Sequence, residues 1–512
     1  MGNHAKQLKP ELHEEQKPGL FSFIEKVGNK LPDPFLLFIY LIGFLMVISA
    51  ILSSLHVSVV DPIKKEPVVI NNLLSKEGIQ WLLPNIIKNF SGFTPLGSII
   101  TLMLGIGLAE KVGLLDTIIR KMALHVSGKY ASYLVVFIAI CSHISSDAAL
   151  VIMPPLGALI FLAVGRHPIA GLLATIAGVA SGFTANFLIV TTDVLLSGIS
   201  TEVSKGIDPN VSVSVLDNWF FMTASVVMLT LLAGFITDKF VEPRLGKYEG
   251  NSQVRMEQVT KQQNKALKAT GIAALIFIAV VVLAVAPHGA LLRDPVTDSV
   301  MPSPFISGII PIILLFFLTV SLTYGIKVGA IKEQNDIPKL LTDPIKRLAG
   351  FIVMVFPLAQ FVAMFNYSNM GKFIALGITD ILENLHLSGI PVFVGLIFLS
   401  SFLCLFIASG SAIWSILAPV FIPMMMILGY HPAFSQMIFR VADSSIIAVS
   451  IVSPFVPLFL GYLKEYKSDA KLGTYYSLIT PYVVSIYVVW ILLVVVWYVL
   501  GLPIGPGVYP KL

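Results

Sequence analysis

SSDAALVIMPPLGALIFLAVGRHP, residues 145–168, and SGSAIWSILAPVFIPMMMILGYHP, residues 409–432, align without a gap at a constant separation of 264 positions. The identical pairs are Ser145/Ser409, Ala148/Ala412, Ile152/Ile416, Pro155/Pro419, Gly165/Gly429, His167/His431 and Pro168/Pro432, seven where this composition gives roughly two by chance. Small polar residues interrupt the apolar sequence in both copies, as SHISSDAAL from residue 142 and IASGSAIWS from residue 407. Interrupted apolar segments at corresponding positions of two repeats are the strongest sequence pointer to an intramembrane binding site.

Composition sets the class. The 512 residues are 56% hydrophobic and 12% charged, whereas soluble domains carry about 25% charged residues. The chain is an integral membrane protein whose surroundings are lipid. A net charge of +5 is what Lys and Arg held in cytoplasmic loops produce, and no basic, aromatic-interleaved patch argues for nucleic acid. Cys141 and Cys404 both lie in apolar segments, so they read as packing residues rather than as a disulfide or metal framework. Residues 1–33 are polar with no early apolar core, which reads as a cytoplasmic tail and not as a cleaved signal peptide.

Stretches long enough to cross a hydrocarbon core of about 30 Å occur at 34–56, 94–114, 169–198, 218–238, 267–287, 304–325, 348–366, 433–462 and 476–501. Two more, 130–164 and 391–428, have a polar break near the middle. Lys and Arg placement decides how these run. The N-terminal tail holds five, 115–130 three, 238–268 seven, 326–347 five and 463–475 three, against one each in 199–217, 288–302 and 367–389. The alternation works only if each interrupted stretch enters and leaves on one side. Only the loop 57–92, assigned outside, fits poorly, because it holds Lys64, Lys65, Lys76 and Lys88.

The expected fold is therefore an all-α integral membrane protein of nine transmembrane helices plus two re-entrant hairpins. Its N-terminus is cytoplasmic and its C-terminus lies across the membrane. A membrane domain over 34–512 contains inverted repeats at about 94–198 and 348–462, with framework spans at 34–56, 218–325 and 476–501. Hairpin tips and broken spans of such a pair meet near mid-membrane, where unpaired backbone is tolerated only around a cavity or inside protein.

Arg440 and Asp443 stand three residues apart on an apolar helix and so share a face. An ionisable residue there is a functional candidate, since an unpaired charge at mid-bilayer costs at least about 3 kcal/mol. The plainer reading pairs the two with each other. Asp193 follows the break at Gly182–Asn186, and is either a carrier of proton or cation or a helix cap near the outer surface. Asp147, at the first hairpin tip, reads equally as a cation contact or as a cap for the returning arm. His143, His167 and His431 match no zinc spacing and read as structural.

DPFLLFIYL (33–41), SSDAALVIMPPLGALIF (145–161), GFTANFLIVTTDVLLSG (182–198), ASGSAIWSILAPVFIPM (408–424), FRVADSS (439–445) and GLPIGPGVYP (501–510) resemble the AbgT family of p-aminobenzoyl-glutamate transporters, from about residue 20 onward. Within that family the chain looks like the importing, enterobacterial branch rather than the sulfonamide-exporting one. The resemblance implies nine helices and two hairpins in a homodimer of the bacterial inner membrane, with a periplasmic C-terminus. It implies substrate contacts at Ser411, Trp414 and Arg440, joined at the first hairpin tip by Ser145 and Ser146. Cation coupling would fall to Asp193 and Asp443, with Asp147 and Asn186 beside them. Trp414, placed at the second hairpin tip, would face a cavity and stack on the arene, and Arg440 would hold a carboxylate through its planar fork. After ADSS this chain reads Ile446 and Ile447, where the family has Thr-Asn. A sodium site built from those two side chains therefore does not carry over, although sodium near Asp193 and Asp443 stays open.

The expected function is a secondary active transporter that imports p-aminobenzoyl-glutamate, a folate catabolite, by symport with a cation, proton ahead of sodium, and without cofactor. One rival is efflux of sulfonamide-like antimetabolites by the same fold, since direction is set by coupling. Another class, an intramembrane aspartyl enzyme using Asp147, Asp193 and Asp443, lacks a GxGD-like or HExxH element. A passive channel is the third.

Overall fold

A computed structural model describes residues 34–60, 67–123, 128–145, 148–248, 258–300, 303–384, 388–407, 409–450, 453 and 455–512. The cytoplasmic-tail reading of 1–33 and the candidates Ser146 and Asp147 lie outside them.

The described chain is helical apart from one short antiparallel pair, β1 (Ser58–Val60) and β2 (Pro67–Val69). Helix α1 (Pro34–Ser54) comes first, and α2 (Lys76–Ser91), α3 (Thr94–Lys111) and α4 (Leu114–Ala123) follow the strands. Then come α5 (Ala131–Cys141), α6 (Ala148–Ala163), α7 (Pro168–Ile176) and α8 (Thr191–Ser204). Next are α9 (Trp219–Ile236), α10 (Lys261–Val285), α11 (Ile309–Val328), α12 (Asp336–Arg347), α13 (Ala349–Tyr367) and α14 (Met370–Asn384). The series closes with α15 (Ile390–Cys404), α16 (Gly410–Ile427), α17 (Pro432–Ile446), α18 (Phe455–Tyr466) and α19 (Leu472–Val499).

Eight helical stretches are long and apolar enough to cross a membrane among the described residues. Seven coincide with expected continuous spans. The eighth, Gly410–Ile427, is an arm of the second interrupted stretch. The long spans expected at 169–198 and 433–462 are each divided, as α7 then α8 and α17 then α18. The loop 57–92 is not irregular: α2 fills half of it, capped by Ser75, whose side chain accepts from Gly78 N. Its Lys and Asn residues interleave with Ile, Trp and Leu, so it is amphipathic rather than spanning.

The two aligned stretches fold alike. Gly165 and Gly429 adopt φ of +73° and +82° at the ends of α6 and α16, a left-handed conformation that terminates a helix and suits glycine. Two residues on, the rings of His167 and His431 accept from Ile169 N and Ala433 N, both at 3.2 Å. Pro168 and Pro432 then start the next helix, where no N–H is required.

Packing forms two large apolar bodies and a small third one between α5, α6 and α7. One large body surrounds α5–α9 and α15–α19, with α1 and α13 against it; the other joins α3, α4, α10 and α11. Ile272, Leu275, Ile276, Val280 and Leu283 on α10 are exposed, which in a bilayer means facing hydrocarbon rather than water.

Candidate functional site

The first break begins where α7 widens into a π turn at Ala177–Ser181 and the chain then runs irregularly through Gly182–Val190. Freed backbone groups of this kind need partners, and α17 supplies them. Thr184 N donates to Ser444 Oγ at 3.1 Å, the Thr184 and Ser444 hydroxyls lie 2.6 Å apart, and Thr184 Oγ1 donates to Arg440 O at 3.2 Å. Arg440 returns the contact, donating from Nη2 to Thr184 O at 2.7 Å and to Asp193 Oδ1 at 2.6 Å. The second oxygen of Asp193 accepts from Val190 N at 2.7 Å and so caps α8. The Arg440 and Asp193 side chains are 1% and 8% exposed, so each charge relies on the other.

Three expectations change here. Arg440 pairs with Asp193 and not with Asp443. Its long side chain reaches across to the break, where Thr184 O and Asp193 Oδ1 converge, while the Asp443 carboxyl packs against Gly410 and Cys404. Asp193 is not at an outer helix end, because α8 continues to Ser204 and Gly198 lies mid-helix against Pro95; it is both a cap and an ion-pair partner. Trp414 neither sits at a tip nor faces a cavity. It is fully buried in the second turn of α16, with its ring stacked on Phe439 at 4.9 Å and Nε1 donating to Ser200 Oγ at 3.1 Å. An indole N–H in an apolar interior needs an acceptor, and Ser200 provides it. Ser200 donates on to Gln436 Oε1 at 2.8 Å, Gln436 Nε2 to Asn218 Oδ1 at 3.1 Å and Asn218 Nδ2 to Ala433 O at 2.8 Å. This buried polar chain, joining α16, α8, α17 and the start of α9, escaped the sequence reading.

A cleft of about 420 Å³ opens where the broken elements meet, within the roughly 300–1,000 Å³ usual for small-molecule sites. Phe183 and Thr191–Thr192 come from the first break and α8, Ser409–Ser411 from the start of α16, and Asp443 and Ser450 from α17 and the break after it. Ser411 and Asp443 therefore line it, whereas Arg440, Asp193, Asn186 and Trp414 do not. Asn186 is buried, and its Nδ2 finds no acceptor among the described residues. Ser145 closes the single turn Ser142–Ser145. A larger cleft of about 720 Å³ between α4, α10 and α11 has an almost wholly apolar lining, and the hydroxyls of Ser142 and Thr270 in it are already bonded to the backbone carbonyls of Ala139 and Ala266.

Asp443 has no basic partner among the described residues. Its Oδ1 receives only Cys404 Sγ, at 3.6 Å, and its carboxyl packs on Gly410, where a Cβ would stand 2.5 Å from Oδ2. Only glycine fits. Helices α8 and α16 begin at the cleft, with Ser409 capping α16 by accepting from Ala412 N at 3.3 Å. Helices α15 and α17 end there, at Cys404 and Ile446. Two positive and two negative helix ends thus converge on one cavity. No group of three or more His, Cys, Asp or Glu that could hold a metal occurs among the described residues, and both Asp193 oxygens are already engaged. Any cation ligand set here would consist of Asp443 with hydroxyl and carbonyl oxygens.

Membrane-length helices, broken segments and a polar cleft between them are the architecture of a multi-span membrane transporter. The chain belongs to the family described as "AbgT putative transporter family", whose model matches residues 19–512. It is 64% identical over 497 residues to the p-aminobenzoyl-glutamate transport protein of Escherichia coli K12, covering 97% of this chain and 98% of that one. Two solved structures share the fold at a TM-score of 0.89. The Alcanivorax borkumensis YdaH transporter is 36% identical, with 93% of this chain and all of that one covered. Neisseria gonorrhoeae MtrF, described with a class of antimetabolite efflux pumps, is 34% identical, with 96% of this chain and all of that one covered.

Proposed function

We propose that this protein imports p-aminobenzoyl-glutamate by cation symport. The substrate reading is supported by the 64% identity to the E. coli protein over nearly the whole chain. The mechanism rests on one observation: Asp443, an acid lining the cleft, has no basic partner among the described residues, while the buried cation Arg440 is already balanced by Asp193. A dicarboxylate entering this cleft meets a third negative charge. Two such charges 4 Å apart repel by about 4 kcal/mol at an effective dielectric constant of 20, so the substrate binds well only once Asp443 is neutralised. A proton does this directly; sodium, held by Asp443 and nearby oxygens, is the alternative. The positive ends of α8 and α16 then receive carboxylate, and Ser411 adds a hydroxyl donor. Arg440 sits one layer behind, its Nε without an acceptor among the described residues, able to take a substrate carboxylate where Asp193 yields.

In this reading 94–198 and 348–462 are inverted repeats in a nine-crossing homodimer of the inner membrane, with the C-terminus periplasmic. The shared Gly-x-His-Pro turns support the repeat, and the Lys and Arg distribution supports the orientation. Counterflow of radiolabelled p-aminobenzoyl-glutamate in proteoliposomes, with pH and sodium varied separately, tests the substrate and the ion together. The second reading is export of antimetabolites, favoured by the match to MtrF; accumulation in inside-out vesicles under an imposed gradient separates it from import.

A further inference from the structure

The Gly-x-His-Pro turns that join each hairpin to its broken helix are both tied to α9, at opposite ends. At the far end of α9, Arg166 of the first turn donates from Nε to both oxygens of Glu242, at 3.1 and 3.0 Å, and from Nη2 to Asp238 Oδ1 at 2.6 Å. Its guanidinium lies 4.4 Å from the Phe161 ring centre, and His167 N adds a bond to Glu242 Oε1 at 3.3 Å. Asp238 also accepts from Ser132 Oγ at the start of α5. At the near end, Ile504 O accepts from Phe220 N and Phe221 N at 3.1 and 3.2 Å, capping α9 with the C-terminal tail. The tail then pairs with the second turn. His431 N donates to Pro510 O and Leu512 N to Gly429 O, each at 3.0 Å, and Tyr430 faces Lys511 across an antiparallel bridge.

The helical stretch containing α9 runs 27 residues, Trp219–Leu245, or about 40 Å at 1.5 Å per residue. That is enough to put the two turns on opposite membrane faces. We propose that α9 is a strut stapled to the first turn by Arg166 and to the second by the tail, and that both staples stay closed throughout the transport cycle. The hairpins, the broken helices and α9 then form one body, and alternating access moves the hairpin tips, or the boundary with α3, α10 and α11. Arg166 and the tail are positioning elements; neither touches the cleft.

The test is a disulfide that forbids opening. Bridged antiparallel residues have Cα atoms roughly 4.5–5.5 Å apart, within disulfide reach, so Tyr430→Cys combined with Lys511→Cys in the full chain should oxidise readily. Loss of two titratable thiols reports linkage without reference to substrate. The inference rests on the p-aminobenzoyl-glutamate reading only for the uptake readout. If the reduced variant and the parent protein both fail to take up that substrate, the substrate reading has failed; linkage and uptake of a transported substrate still judge the staple. The expected result is full linkage, with an initial uptake rate equal to that of the reduced protein. Loss of uptake on oxidation that reduction restores would overturn it, as would two thiols that stay free in the membrane.

Discussion

Arg440 and Asp193, 247 positions apart in the chain, are joined by a 2.6 Å bond from Nη2 to Oδ1. The bond closes the first broken helix onto the second, at the back of a cleft whose only lining acid among the described residues is Asp443. The protein thus keeps one charge balanced and one available.

Breaking that pair from either side should be costly. Asp193→Asn leaves a buried guanidinium uncompensated, and a loss of about 3–5 kcal/mol is expected, read as a lower melting temperature in detergent. The double variant Asp193→Leu with Arg440→Met should recover much of the stability while staying inactive. Equal melting of single and double variants would show that the pair does not hold the break.

How much of this was legible is clear from position 440. The matching Gly-x-His-Pro turns and the break at Gly182 could be read because each has a local signature of small residues or interrupted apolarity. The partner of Arg440 could not. The repeat itself offers no guide, since the residues 264 positions before Arg440 and Asp443 are Ile176 and Val179. The charges of the two copies do not stand at corresponding positions, and only the folded chain brings Asp193 across. Trp414 misled for a similar reason: its neighbours in sequence are small and polar, but its indole is satisfied by Ser200, 214 positions away. The surface helices α2, α12 and α14 were read as loops because their polar faces mask an apolar stripe.

Ser200→Ala should therefore destabilise the protein by about 1–3 kcal/mol, the cost of leaving a buried indole N–H unpaired. Ligand preference should not change. A shift in preference between arene-bearing ligands and free glutamate, with unchanged melting, would return Trp414 to the substrate.

Gly410→Ala places a methyl 2.5 Å from Asp443 Oδ2, so the carboxyl must move. Uptake should fall by about tenfold, equivalent to about 1.4 kcal/mol, with the melting temperature nearly unchanged. Full activity in the alanine variant would mean that the position of Asp443 is not critical.

Asp217 gives a pH dependence outside the spans. Burial raises its carboxyl from 3.8 to about 7, against one opposing hydrogen bond from Ser214 N. In the unfolded chain it ionises near 3.9, so its contribution to stability is complete below that pH and is lost as pH rises to about 7. Asp217→Asn keeps an acceptor for Ser214 N and should flatten the melting profile between pH 4 and 7. An unchanged slope would place the titration elsewhere.

The central claim is that Asp443 couples the cation to the substrate. Asp443→Asn removes the charge but keeps the shape beside Gly410, and substrate exchange and concentrative uptake can be measured on the same proteoliposomes. Labelled p-aminobenzoyl-glutamate should still exchange in counterflow, with its dependence on pH or sodium abolished, while accumulation above equilibrium disappears. An asparagine variant that concentrates substrate with the parent's cation dependence would contradict the account.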